Sequence, residues 1–270
     1  LAIVDQTDRI KGHETLYDEP LRPQFHFSQQ RGWNNDPNGL VYYDGEYHLF
    51  FQHNPYGWGW ANMHWGHAVS SDLVHWEHHS LAIGITEPWE GSICTGSTLF
   101  HEGVYYGFYA TRRPDRTQFL SLATSRDGVV FHKQQPNPWL SPPPGYSPYH
   151  YRDPHVFRDV ETGLFHLLVT AMLERAPLAG RGGCLAHWTS PDLRGWRPEE
   201  PFIMPGYEGA PECPDYFHWR GWFYLIFSQH GVARYRMSRR PLGPWTRPAV
   251  DTFDGPMARA LKTAACTGDR

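Results

Sequence analysis

Short apolar and aromatic runs alternate along the chain with polar, glycine- and proline-rich breaks. No long stretch shows the 3.6-residue period of an amphipathic helix. The clearest runs each follow a turn glycine: Gly45 to Phe51 (GEYHLFF), Gly103 to Tyr109 (GVYYGFY), Gly163 to Val169 (GLFHLLV) and Gly221 to Phe227 (GWFYLIF). Runs this short, rich in Tyr, Phe, Trp and Val and bounded by Gly, Pro, Asp and Asn, predict β-strands. The glycines stand 58 (103 − 45), 60 (163 − 103) and 58 (221 − 163) residues apart, so the strands recur in units. A second marker follows each run, a polar turn leading to a bulky aromatic: Ser71 to Trp76, Ser125 to Gly128, Ser190 to Trp196 and, more weakly, Ser238 to Trp245. Four full units and the start of a fifth near Phe253 are expected.

Units of several short strands suit the blades of a β-propeller. A solenoid is the competing arrangement. It would spread equivalent positions along an open face, whereas a propeller brings the first strand of every blade to one axis.

That distinction matters because acidic motifs fall on the same period. Asn35-Asp36-Pro37-Asn38-Gly39, Tyr151-Arg152-Asp153-Pro154 and Pro211-Glu212-Cys213-Pro214 place Asp153 117 residues (153 − 36) after Asp36, and Glu212 59 (212 − 153) after Asp153. Thr95-Gly96-Ser97 marks the missing midpoint, 59 residues (95 − 36) after Asp36. Carboxyl groups converging on one axis are what cleavage of a glycosidic bond requires, one to attack or activate water and one to protonate the leaving oxygen. Asp36, read as part of a Pro-Asn-Gly turn, is expected to stay ionised and suits the nucleophile. Glu212, read in a less polar setting between Pro211 and Cys213, is expected to be held protonated as the acid. Asp153 beside Arg152 is expected to stay ionised and to hold sugar hydroxyls. The bland reading is that each Asp-Pro segment merely makes a blade turn, and the shared period argues against it. Trp33, Trp58, Trp60 and Trp65 crowd the first unit and offer flat faces for sugar C–H groups, or else packing between blades.

Composition narrows the picture further. Aromatic residues make up 16% of the 270 and include twelve Trp, and the net charge is −4, which gives no electrostatic reason to expect nucleic acid or an anionic membrane as partner. No apolar run is long enough to span a bilayer, and no signal-peptide pattern is present. Cys94, Cys184, Cys213 and Cys266 have no zinc-like spacing and read as separate buried thiols. His75, His78 and His79 lack a carboxylate or cysteine at ligand spacing, so no metal or cofactor is expected.

At these motifs the chain closely resembles glycoside hydrolase family 32, the invertases, inulinases, levanases and other β-fructofuranosidases. The likeness runs from about Arg22 to the C-terminus and includes Gly45 to Pro55, Met63 to Ser70 and Asp72 to His78. It implies a five-bladed propeller with a funnel-shaped pocket at its axis. It also implies release of β-fructofuranosyl units from sucrose, fructo-oligosaccharides or fructans, with retention through a fructosyl-enzyme intermediate. Carried over by motif, Asp36 is the nucleophile, Glu212 the acid/base and Asp153 the transition-state stabiliser acting with Arg152. Asn35, Gln52, Trp60 and Thr95 match positions lining the fructose subsite. Transfer of fructose to another sugar through the same intermediate, a binding propeller without turnover, and an inverting enzyme acting on arabinose polymers are the alternatives.

Two departures stand out: Asn34 where the family has Met, and Cys94 where it often has an aromatic that shapes the leaving-group side. The domain reading is a lead-in over 1–21, with residues 1–6 as the tail of a preceding strand or domain, and a propeller over 22–270. The last blade reads as incomplete and the family's C-terminal β-sandwich as absent from this chain. Polymeric substrates favour a secreted or periplasmic location over the cytoplasm.

Overall fold

The computed structural model describes residues 19–264 apart from 24, 253 and 256. Residues 1–6, Phe253 and Cys266 therefore lie outside the described residues.

Fifteen strands form four antiparallel sheets and no helix among the described residues. The first sheet is β1 (Trp33–Tyr43), β2 (Glu46–Asn54), β3 (His64–Ser70) and β4 (Glu77–Ile83), paired in that order. The second is β5 (Ser92–His101), β6 (Val104–Arg112), β7 (Gln118–Ser125) and the short β8 (His132–Lys133). The third is β9 (Tyr146–Arg158), β10 (Phe165–Leu173), β11 (Gly183–Ser190) and β12 (Arg197–Ile203). The fourth has three strands, β13 (Glu212–Trp219), β14 (Trp222–Gln229) and β15 (Val232–Ser238). Sequential meanders with their first strands adjacent (β1 beside β5, β5 beside β9, β9 beside β13) make a propeller, not a solenoid.

The turn glycines act as expected in three units. Asp44-Gly45, Glu102-Gly103 and Arg220-Gly221 are two-residue loops in which both residues have positive φ. That is the mirror-image turn whose twist suits a β-hairpin, and glycine adopts it without strain. Gly163 belongs instead to a longer loop closed by Asp159 N–H to Leu164 O, 2.8 Å.

The second marker is a repeated side-chain turn. Asp72 Oδ1 accepts from the N–H of Val74 and His75 (2.8 Å each), Asp127 Oδ1 from Val129 and Val130 (2.9 Å each), and Asp192 Oδ1 from Arg194 and Gly195 (2.9 Å each). In the first blade the serine of this turn is Ser70, whose hydroxyl accepts from Leu73 N–H at 2.8 Å, rather than Ser71.

The core lies in three layers between neighbouring sheets. Phe50, Trp65, Ile93 and Tyr109 fill the first gap, Phe108, Tyr151, Leu167 and Trp188 the second, and Phe157, Leu168, Leu225 and Phe227 the third. Buried polar tips find partners there: Trp65 Nε1 donates to Cys94 O (2.9 Å) and Trp188 Nε1 to Tyr151 Oη (2.8 Å). Trp65 is wholly buried, so it is a packing residue, and truncation to Ala should cost about 3–5 kcal/mol.

After Ser238 no named strand follows among the described residues. The chain runs beside β15 through Tyr235 N–H to Asp251 O and Ala233 N–H to Ala258 O, then returns to β13 through Lys262 Nζ to Pro214 O (2.6 Å). Four sheets are therefore observed where five blades are expected.

Candidate active site

Each innermost strand breaks its pairing register beside its motif: between Asn34 and Gly39 in β1, Ile93 and Gly96 in β5, Arg152 and His155 in β9, and Glu212 and Asp215 in β13. A β-bulge turns side chains out of the alternating pattern, and these four turn theirs toward the axis. Asp36 and Asp153 therefore lie within extended strands, not in turns as the Asp-Pro-Asn-Gly sequence suggests.

The bulges also correct the spacing argument. Asp153 and Cys213 both precede proline, both have φ of 52°, and stand 60 residues (213 − 153) apart. Cys213 is thus the repeat equivalent of Asp153, and Glu212 that of Arg152. Non-glycine residues at positive φ cost about 1–3 kcal/mol each, and such strain concentrates at functional sites.

The bulges open onto a cavity of about 410 Å³ that contains all eight candidate site residues: Asn35, Asp36, Gln52, Trp60, Thr95, Arg152, Asp153 and Glu212. A relay orders Asp36. Gln52 Nε2 donates to Thr95 Oγ1 (2.9 Å), which spends its own proton on Asp36 Oδ2 (2.7 Å). Asn35 Oδ1 accepts from Trp33 Nε1 at 2.9 Å. Arg152 bridges two acids, with Nη2 2.7 Å from Glu212 Oε1 and Nε 3.6 Å from Asp153 Oδ2. Asp153 Oδ2 also accepts from Cys213 N–H at 3.0 Å, and the Cys213 Sγ sits 3.6 Å from Asp36 and 3.7 Å from Asp153.

Two electrostatic expectations change. Asp153 is 3% exposed, and its burial raises the carboxyl to about 6; Arg152 pulls against this, while Asp36 and Glu212 add to it. The neighbouring guanidinium therefore does not dominate, because desolvation of a wholly enclosed carboxylate outweighs it. Glu212 does not sit in an apolar setting: its side chain is 44% exposed and ion-paired with Arg152. The Cys213 thiol is pushed well above its usual range, by burial first and then by Asp153 and Asp36, so it stays protonated.

Of the four tryptophans weighed for sugar contact, Trp33 and Trp60 line the cavity, Trp58 lies outside its lining and is 81% exposed, and Trp65 is core. His75 pairs with Asp72 at 2.7 Å on the surface. His78 and His79 border a separate small cleft, and no group of three or more metal-ligating side chains occurs among the described residues. Cys94, Cys184 and Cys213 are free and buried. Sequence reasoning missed Cys213, Arg112, Gln118, Ser228 and Arg259 as cavity residues. The Cys213-Pro214 echo of Asp153-Pro154 was a usable signal for the first; the others carry no motif.

Fold and site together define an all-β propeller with a carboxylate-lined pocket at its axis. The profile described as Glycosyl hydrolases family 32 N-terminal domain matches residues 26–241, and the chain belongs to that family. A levanase of Bacillus subtilis is 38% identical over 216 residues, covering 75% of this chain and 30% of the levanase. A sucrose-6-phosphate hydrolase of Escherichia coli is 34% identical over 221 residues, covering 78% of this chain and 44% of that protein. The crystal structure of fructan 1-exohydrolase IIa from Cichorium intybus superposes with a TM-score of 0.74 at 25% identity, over 88% of this chain and 48% of that one. The chain thus spans less than half the length of these relatives.

Proposed function

We propose that this propeller carries the active site of a retaining β-fructosidase that releases terminal fructose from sucrose or fructans. The observation that carries the reading is the Gln52–Thr95–Asp36 relay facing the Arg152–Glu212 pair across one cavity. Thr95 occupies one oxygen of Asp36, leaving Oδ1 to attack the anomeric carbon, so the nucleophile is oriented before substrate arrives. Glu212 protonates the leaving oxygen and later takes a proton from water. Arg152 and Asp153 grip the fructosyl hydroxyls, and Trp60 supplies an apolar face beside Asn35. The names of the relatives, a levanase, a sucrose-6-phosphate hydrolase and a fructan exohydrolase, support a fructoside as the substrate.

The test is fructose release from sucrose, inulin and levan by the chain and by its Asp36→Ala variant. Release by the wild type alone is expected. Equal release by the variant, or none from any substrate, would overturn the reading.

The propeller itself is proposed to have five blades, within a unit that begins near residue 22. Phe217, Trp219, Tyr224, Ile226, Tyr235 and Met237 form one apolar face of the fourth sheet and border an open cleft of about 280 Å³, as a face awaiting a further sheet would. A crystal structure should show a fifth sheet on that face; solvent or a different kind of domain there would overturn the assignment.

A further inference from the structure

One repeated contact joins neighbouring innermost strands. Val156 N–H donates to Ser97 Oγ (3.1 Å), from β9 back to β5, and Tyr216 N–H to His155 Nε2 (3.1 Å), from β13 back to β9. The contact recurs once more beyond the last strand, where Thr263 N–H donates to Asp215 Oδ2 (3.0 Å) of β13. Four residues before these three donors stand Arg152, Glu212 and Arg259 in turn, and three before them Asp153, Cys213 and Ala260. The latter three share a positive φ, of 52°, 52° and 55°. All six line the axial cavity. Residues 258–263 therefore take the place of a further innermost strand, and Arg259 stands at the level of Arg152 and Glu212. Its height is fixed by Ala260 N–H, which donates to Ser228 Oγ (2.7 Å), and Ser228 pairs with Glu212 across β13 and β14. In order round the axis, Arg152 and Arg259 thus flank Glu212 on its two sides. Arg259 lies beyond residues 26–241, the part matched by the family profile. Its side chain is exposed and makes no hydrogen bond, ion pair or ring contact among the described residues. A guanidinium kept for packing would be covered or bonded, and this one is neither.

We infer that Arg259 is a further substrate-binding residue, donating to hydroxyl oxygens of the fructosyl unit from the side of the cavity opposite Arg152. Its role rests on the fructosidase reading and adds a donor to that site. A sugar hydroxyl offers one proton and two lone pairs, whereas guanidinium carries only donors and an ionised carboxylate only acceptors. Asp36, Asp153 and Glu212 supply acceptors in the cavity, so each hydroxyl can give its proton to a carboxylate and accept from an arginine at once. Arg152 already spends Nη2 on Glu212 at 2.7 Å, which leaves the unbonded fork of Arg259 as the second source of donors.

The experiment measures kcat/KM for sucrose, inhibition by free fructose and the urea midpoint in the wild type, Arg259→Ala and Arg259→Met, the last keeping the apolar stem without the donors. Loss of a charge-assisted contact predicts a fall in kcat/KM of about 10- to 100-fold in both variants, with fructose inhibition weakened over the same range. The urea midpoint should not move, because the side chain has no partner in the fold. A kcat/KM close to that of the wild type in either variant overturns the assignment and leaves the fructosidase reading intact. So does a lowered urea midpoint with fructose inhibition unchanged, which would make Arg259 a residue of the fold. No turnover of sucrose, inulin or levan by the wild type overturns the fructosidase reading, and calorimetry with fructose then decides Arg259 alone. Fructose binding that disappears in both variants supports the residue; equal binding in wild type and variants, or none in the wild type, overturns it.

Discussion

Replacing Asp153 by Asn should make the protein more stable and less active. The folded carboxyl titrates at about 6 against a reference of 3.8, chiefly because it is buried. Charging it is therefore unfavourable to the fold, by about 3 kcal/mol above pH 6, since each unit of difference is worth about 1.36 kcal/mol. The cost fades as pH falls from 6 toward 3.8 and is absent below, where both folded and unfolded carboxyls are protonated. Asn has the same shape, tolerates the positive φ of 52° at this position, and its carbonyl oxygen can still accept from Cys213 N–H. Arg152 keeps Glu212 as its partner. Urea unfolding at pH 7.5 should show the variant more stable by up to about 3 kcal/mol, a Tm rise of roughly 6–12 °C, with little difference at pH 4. Fructose release should fall steeply, because the neutral amide no longer complements charge at the fructosyl ring. A variant less stable than wild type at pH 7.5, or one whose gain is the same at both pH values, would refute the desolvation argument.

The remaining expectations follow from single contacts. Thr95→Val removes the donor to Asp36 and leaves the 2%-exposed Gln52 amide without its acceptor. It should cost about 1–3 kcal/mol of stability and lower kcat by roughly tenfold or more, and an unchanged kcat would remove Thr95 from the mechanism. Gly96→Ala would set a Cβ 1.8 Å from Phe108 O, between β5 and β6. A backbone atom cannot yield as a side chain does, so a loss of about 3 kcal/mol or more is expected, read as poor soluble yield or a large drop in unfolding midpoint. Glu212→Gln should slow substrates with poor leaving groups most and an activated aryl fructoside least, because only the former need a proton on departure. Equal losses on both would show that Glu212 is not the acid.

Local features of the fold were readable because they depend on local chemistry. The loops at Gly45, Gly103 and Gly221 need positive φ whatever surrounds them, and the Asp72, Asp127 and Asp192 turns are closed by their own side chains within three residues. Periodicity then made the units visible, and the shared period of the Asp-Pro and Glu-Cys-Pro motifs marked residues that meet in one cavity. What the tertiary structure decided was the register at the axis and everything that follows from it. The four bulges put Asp36 and Asp153 inside strands, matched Cys213 rather than Glu212 to Asp153, and brought Arg112 and Gln118 beside acids far away in sequence. No local pattern encodes such meetings, because they arise from packing one sheet against the next. Charge behaves likewise: the sequence places Arg152 beside Asp153, yet the depth at which the fold buries Asp153 outweighs that neighbour and sets its proton affinity.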